Sequence, residues 1–182
     1  MNSLKSEGRR RFLGLAAGTA VALIAAPAIA APRFAIHRQL ALLNVHTGEK
    51  LDCVYGGPNG YDKAALKRFA WLLRDHRNDE VHAIDPKLLD LLSAVTRRLD
   101  ARQPTLVLSG YRSPETNEML AQESEGVAKN SFHLAGKAID LVFPGKHLDS
   151  VRRVAMALKG GGVGYYPQSN FVHIDVGPVR HW

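Results

Sequence analysis

Cysteine is almost missing from this sequence: Cys53 stands alone among 182 residues. A single thiol makes no intrachain disulfide, and it rules out cysteine-rich zinc sites. It falls beside Val54 and Tyr55 in an expected strand, with no activating partner close by. There it reads as a small core residue rather than a nucleophile. Long apolar runs are scarce too. The one candidate, "LGLAAGTAVALIAAPAIA", is too short and too rich in Ala and Gly for a membrane span, and no second run follows it. No Lys/Arg cluster with interleaved aromatics occurs, which excludes a nucleic-acid footprint. Internal repeats and low-complexity tracts are also absent.

What is present begins with an address. Residues 1 to 12 are polar and basic, with Arg9, Arg10 and Arg11 ahead of Phe12 and Leu13. The apolar run then closes on Ala28-Ile29-Ala30, which has the small-x-small form of a signal-peptidase site. The arginines ahead of Phe-Leu resemble a twin-arginine export signal. Gly8 stands where Ser or Thr is usual, and Gly14 where Lys is common. Residues 1–30 are thus expected to be a signal peptide, an uncleaved anchor being the alternative. Residues 31–182 suit one exported domain with one core, not inserted in a membrane after cleavage. The formal net charge of +7 owes much to Lys5, Arg9, Arg10 and Arg11 of the leader. The mild excess that remains favours an anionic surface such as a cell wall.

Along the chain, "RQLALLNVHTGEKLDCVY" has two apolar runs split by Thr47-Gly48-Glu49 and predicts a hairpin. Asp62 is placed to cap a helix running to about Asp75, with Leu66, Phe69, Leu72 and Leu73 at helical spacing. Asp85 and Pro86 open a second helix whose buried stripe is Leu88, Leu92, Val95 and Leu99. "TLVLSG" suits a central strand, and Ser113 with Pro114 opens a third helix. Residues 120 to 132 read as a long polar loop. "KAIDLVF" predicts a strand and "LDSVRRVAMALKG" a helix ended by Gly160. "GGVGYYPQSNFVHIDVG" predicts two strands joined by a Pro-Gln-Ser-Asn turn. Helices come first and most of the sheet later, so the class is α+β with an antiparallel or mixed sheet.

Eight histidines are present. His37, His46, His76, His82 and His147 sit in polar or boundary contexts and read as surface residues. His133 differs, because Gly136 permits a tight backbone and Asp140 follows on the strand. With Ile139 and Leu141 facing the core, Asp140 turns away from it. In "FVHIDVG", Phe171, His173 and Asp175 share one face. Taken singly, His133 and His173 read as structural residues of a half-buried sheet. Together with Asp140 they supply two imidazoles and one carboxylate, a three-ligand zinc set with a fourth position left for water. The spacing differs from His-Glu-x-x-His, so that zincin mechanism is not implied. Arg112, just beyond a strand, suits either a surface salt bridge or a guanidinium that binds a carboxylate or developing charge. The tail "GPVRHW" reads as a docked cap with Trp182 buried or as a disordered end.

"SGYRS", "SFHLAGKAIDL" and "GGVGYYPQSNFVHIDVGPVRHW" together resemble the exported zinc murein endopeptidases of the D-Ala-D-Ala carboxypeptidase superfamily. The pattern Ser-x-His-x-x-Gly-x-Ala-x-Asp is met at Ser131, His133, Gly136, Ala138 and Asp140. The resemblance implies a hedgehog/D-Ala-D-Ala-peptidase fold, with a small antiparallel sheet flanked by helices. It implies one zinc ion per chain on His133, Asp140 and His173, and Arg112 contacting the substrate or its reacting carbonyl. The implied substrate is a peptidoglycan stem peptide, cut at meso-diaminopimelate to meso-diaminopimelate (3-3) links. The implied role is cell-wall remodelling; the export signal makes the periplasm the expected setting, and a monomer is the expected state. Alternatives are a D,D-endopeptidase or carboxypeptidase on 4-3 links, a non-catalytic zinc-stabilised peptidoglycan-binding domain, and a plain structural module. Many relatives place an acidic residue three before the last histidine ligand, or a histidine two before it. This chain has Asn170 and Phe171 there, so Asp175 is the expected general base and His181 the second candidate. Asp175 could instead only orient His173.

Overall fold

The hairpin forms where Thr47-Gly48-Glu49 turns the chain. Strand β1 (Arg38–Asn44) pairs antiparallel with β2 (Lys50–Gly57), and Gly48 takes φ 72° between them. The computed structural model describes residues 38–123 and 128–182, so the expected leader and its cleavage site lie outside the described residues. A short strand β3 (Gly60–Tyr61) edges β2. Asp62 then caps α1 (Lys63–Leu72), its carboxylate accepting from the N–H groups of Ala64 and Ala65. The helix stops three residues before the expected Asp75. The reason is a long-range contact: the Leu73 carbonyl accepts from the N–H of Tyr111, which takes it out of the helical pattern.

Asp85 and Pro86 open α2 (Pro86–Arg98) as expected, and Leu88, Leu92 and Val95 are buried. Strand β4 is Thr105–Ser109. Ser113 opens α3 (Pro114–Glu123), its hydroxyl accepting from Thr116 N–H. This helix reaches into the span expected to be a loop. Its buried residues, Thr116 and Asn117, are polar, so no apolar stripe marks it in the sequence. A 3-10 turn, Phe132–Ala135, begins at the last residue of the same span and continues beyond it. There follow β5 (Ala138–Val142), α4 (Leu148–Leu158), β6 (Gly162–Tyr166), β7 (Phe171–Asp175) and β8 (Arg180–His181). The left-handed residue that ends α4 is Lys159 at φ 52°, one before Gly160.

The strands form one sheet in the order β3-β2-β1-β4-β5-β7-β6-β8. It is mixed, and larger than the small antiparallel sheet the resemblance implies. β1 runs parallel to β4 because α1 and α2 cross over between them, and β8 runs parallel to β6. Helix α2 packs on β1 and lies beside α4, which covers β6 and β7. Ile139, Leu141, Val172 and Ile174 point into this core with Leu88, Leu92 and Val95. Asp140 and His173, alternating with them, face the other side. Among the described residues no helix is long and apolar enough to cross a membrane.

Candidate metal centre

The pairing of β5 with β7 sets Asp140 directly opposite His173. Their side chains meet on the face away from the helices, Asp140 Oδ1 lying 2.8 Å from His173 Nδ1. His133 arrives from the 3-10 turn. Ser131 opens that turn by accepting from His133 N–H, and Gly136 closes it at φ 62°. A Cβ at 136 would lie 2.2 Å from the Ala83 carbonyl oxygen, so the turn has room for glycine alone. His133 Nε2 thereby comes within 3.2 Å of His173 Nδ1 and 3.3 Å of Asp140 Oδ1. One ligand atom from each residue lies within 4.8 Å of the others, and all three side chains are buried.

Each imidazole is fixed by its outer nitrogen. His133 Nδ1 lies 2.6 Å from the Gly110 carbonyl oxygen, which only accepts, so this nitrogen is the donor. His173 Nε2 lies 3.1 Å from Asp175 Oδ2. His133 therefore turns its Nε2 lone pair inward, and His173, with Nε2–H donating to Asp175, has Nδ1 as the atom it can offer to a metal. Arg112 donates from Nη2 to Asp140 Oδ2 and from Nε to Ser109 Oγ, leaving Asp140 Oδ1 for the histidines. Burial drives the His133 imidazole below its ordinary value despite the facing Asp140. For His173, burial opposes charging, but hydrogen bonds to Asp140 and Asp175 outweigh it and raise the pKa. Burial also opposes ionisation of Asp140 and Asp175. In Asp140 the two facing imidazoles outweigh it; in Asp175 His173, Arg180 and the N–H groups of Gly177 and Gly162 do. Both carboxyls are held far below the usual range. Between its two carboxylates His173 favours the protonated ring, and a metal ion bound at Nδ1 would take the place of that proton. The donor set suits a borderline ion such as zinc, which takes nitrogen and oxygen ligands in one site.

The three residues open into a cleft of about 500 Å³ that Arg112 also lines. Phe132, Tyr166, Phe171 and Trp182 make its aromatic walls. The Tyr166 and Phe171 rings stack at 4.4 Å, and the Trp182 indole N–H donates to the Tyr166 hydroxyl. The tail is docked, yet Trp182 remains 49% exposed, between the two expectations. Strand β8 sends Arg180 and Trp182 into the cleft and leaves His181 exposed on the alternate side, outside the lining. Asp175 lies behind His173 rather than in the cleft, fully buried. Sequence reasoning missed Tyr166 and Arg180, and it could not see the Gly110 carbonyl. The alternation of Arg180 and Trp182 was the available signal for the tail.

A family model described as peptidoglycan L,D-endopeptidase MepK matches residues 33–182, in agreement with the resemblance carried by "SGYRS" and "SFHLAGKAIDL". Peptidoglycan L,D-endopeptidase MepK of Escherichia coli (strain K12) is 41% identical over 180 residues, 98% of this chain and 99% of that protein. Probable peptidoglycan L,D-endopeptidase MepK of Haemophilus influenzae is 44% identical over 146 residues, 80% of this chain and 78% of that protein. With a buried His-Asp-His cluster at the head of an aromatic cleft and a match over nearly its whole length, this chain belongs to the peptidoglycan L,D-endopeptidase MepK family.

Proposed function

We propose that this protein hydrolyses peptide cross-links of peptidoglycan at meso-diaminopimelate to meso-diaminopimelate (3-3) links, using one zinc ion held by His133, Asp140 and His173. The observation that carries this reading is the convergence of three buried ligand atoms within 4.8 Å, with the outer atom of each side chain already partnered. Zinc supplies Lewis acidity there, bringing the pKa of water down to about 7 and polarising a carbonyl. The chain's own residues do the rest. Gly110 and Asp175 hold the two rings in the ligating tautomer. Arg112 holds Asp140 Oδ2 and so aims Oδ1 at the histidines, and its edge in the cleft offers N–H donors to negative charge developing on the scissile carbonyl. Asp175 takes the orienting role of the two considered for it, since His173, Arg180 and main-chain N–H groups occupy both of its oxygens. The aromatic walls exclude water from an extended peptide lying in the cleft.

The same reading makes residues 1–30 a twin-arginine signal peptide and the periplasm the place of action. The family match beginning at residue 33 supports it. Mature protein incubated with muropeptides of defined linkage should release monomers from 3-3 dimers. That release should stop with chelator and in His133→Ala. Cleavage of 4-3 dimers instead would move the assignment to a D,D-endopeptidase. Sacculus binding with an unchanged muropeptide profile would leave a binding domain only.

A further inference from the structure

His133 rests its outer nitrogen on the main chain, but His173 rests its own on a side chain. That side chain, Asp175, is fully buried. Its Oδ1 accepts from the N–H groups of Gly162 at 3.1 Å and Gly177 at 2.8 Å. Its Oδ2 faces His173 Nε2 at 3.1 Å. Among the described residues Arg180 alone reaches both oxygens, with Nη1 3.1 Å from Oδ1 and Nη2 2.7 Å from Oδ2.

Arg180 is itself held in place from several sides. Parallel pairing of β8 on β6 sets it opposite Gly162, and Trp182 N–H donates to the Val163 carbonyl one step further on. Its guanidinium carbon lies 5.1 Å from the centre of the Phe132 ring and 4.9 Å from that of Trp182. Nη1 also donates to the Pro178 carbonyl. A Cβ at 162 would lie 2.4 Å from both Arg180 Nη1 and Asp175 Oδ2, so glycine leaves room for the ion pair. A bidentate guanidinium fixes the plane of a carboxylate as a point charge does not.

We propose that Arg180 is a positioning residue of the metal centre: its two-point grip on Asp175 aims the carboxylate that holds His173 toward Asp140 and His133. Without that grip the two main-chain N–H groups secure Oδ1 only. The carboxylate then pivots about the secured Oδ1 through small changes in the Asp175 side-chain torsions, and Oδ2 shifts away from His173 Nε2. The ring loses the contact that stops its own rotation, and the ligand atom drifts from the other two. This inference rests on the metal reading above.

Zinc dissociation constants, measured by competition with a chromophoric chelator, test it on the mature protein, together with the visible spectrum of the cobalt-loaded form. Arg180→Met should weaken zinc by roughly tenfold to a hundredfold, the size of effect expected for a partner behind a ligating histidine. It should also shift the cobalt bands. Arg180→Lys, which keeps the charge but loses the fork, should fall between Arg180→Met and wild type. Val179→Thr, at an exposed neighbour, should match wild type. In an Asp175→Asn background, Arg180→Met should add no further loss, because Arg180 acts through Asp175. Wild-type affinity in Arg180→Met, or its full loss repeated on top of Asp175→Asn, would overturn the role. Should Arg180→Met fail to fold, Arg180→Lys decides: zinc binding no weaker than in Val179→Thr sinks the inference. A wild type that binds no zinc overturns the metal reading and this inference together. A zinc-binding wild type with an indifferent Arg180 overturns the inference alone.

Discussion

The two sides of the metal centre are built in different ways. On the turn side, His133 is held by main-chain geometry: the Gly110 carbonyl behind its Nδ1 and the left-handed Gly136 that ends its turn. The segment carrying Gly110 is pinned in turn by Tyr111 N–H on Leu73 and by Ser113 N–H on the buried Asp75. On the tail side, His173 is held by a side-chain chain of contacts, Asp175 and then Arg180, whose last member rides on a two-residue edge strand. A ligand set by main chain shares the stability of the fold. A ligand set through a tail can lose its aim while the fold stands.

Two glycines offer the sharpest contrast and the largest effects. At Gly136 an added Cβ meets backbone, the Ala83 carbonyl at 2.2 Å, and the residue has φ 62° besides. Gly136→Ala should therefore lower stability by about 2–4 kcal/mol, combining left-handed strain with overpacking. Metal binding should fall with it. At Gly162 the same methyl meets side-chain atoms of Arg180 and Asp175. Gly162→Ala should cost only about 1 kcal/mol of stability and yet weaken zinc roughly tenfold or more. Urea unfolding of the metal-free proteins beside zinc competition assays checks the pair. Equal losses of stability in the two would erase the distinction between the sides.

How much of this was legible in the sequence follows the same division. Hairpin, helix starts and strands were marked by local chemistry: Thr47-Gly48-Glu49, Asp62, Asp85-Pro86 and the apolar alternation around Asp140 and His173. That Asp140 and His173 share a site was implied by the resemblance, while their direct pairing across β5 and β7 is set by the fold. How far α3 runs was not readable, since its buried residues, Thr116 and Asn117, are polar and sit in its first turn, so no apolar stripe traces the helix to Glu123. The end of α1 depended on Tyr111, far along the chain. The Gly110 carbonyl leaves no trace in a side-chain pattern at all. Arg180 was in plain view, but its partner was set by β8 lying parallel on β6, a pairing that no local signal announces.

Asp75 probes the turn side at a distance from the ligands. Burial pushes its carboxyl up, but hydrogen bonds from the Thr116 hydroxyl and from the Ser113 and Arg77 N–H groups outweigh it, so the folded pKa lies below the ordinary value. A carboxyl depressed in the folded state adds stability above its unfolded pKa of about 3.9. That contribution is lost as pH falls through the folded value. Asp75→Asn should thus be less stable than wild type by about 1–3 kcal/mol at neutral pH. The gap should narrow below about pH 4, as followed by urea unfolding at a series of pH values. A gap that stays constant down to pH 2 would show that Asp75 contributes by shape alone.

The smallest effect belongs to Trp182, and it separates wall from scaffold on the tail side. The Trp182 main chain is secured on β6 whatever its side chain, through its N–H on Val163 and its carbonyl from Tyr165. The ring lies 5.4 Å from His173, centre to centre, and donates to the Tyr166 hydroxyl from a half-exposed position. It makes no hydrogen bond to Asp175 or to a ligand atom. Trp182→Ala removes one of several contacts on Arg180 and leaves those to Phe132, Pro178 and Asp175, so it should weaken zinc less than Arg180→Met does and act mainly on substrate. Losing one aromatic contact is worth about 0.5–1.5 kcal/mol, which corresponds to a rise in KM of roughly twofold to tenfold, with kcat little changed. Steady-state kinetics on a soluble 3-3 cross-linked dimer, set beside zinc competition, reads both quantities. If Trp182→Ala instead weakens zinc as far as Arg180→Met does, the tail works as one docked unit. The separate grip of Arg180 on Asp175 would then cease to explain how His173 is aimed.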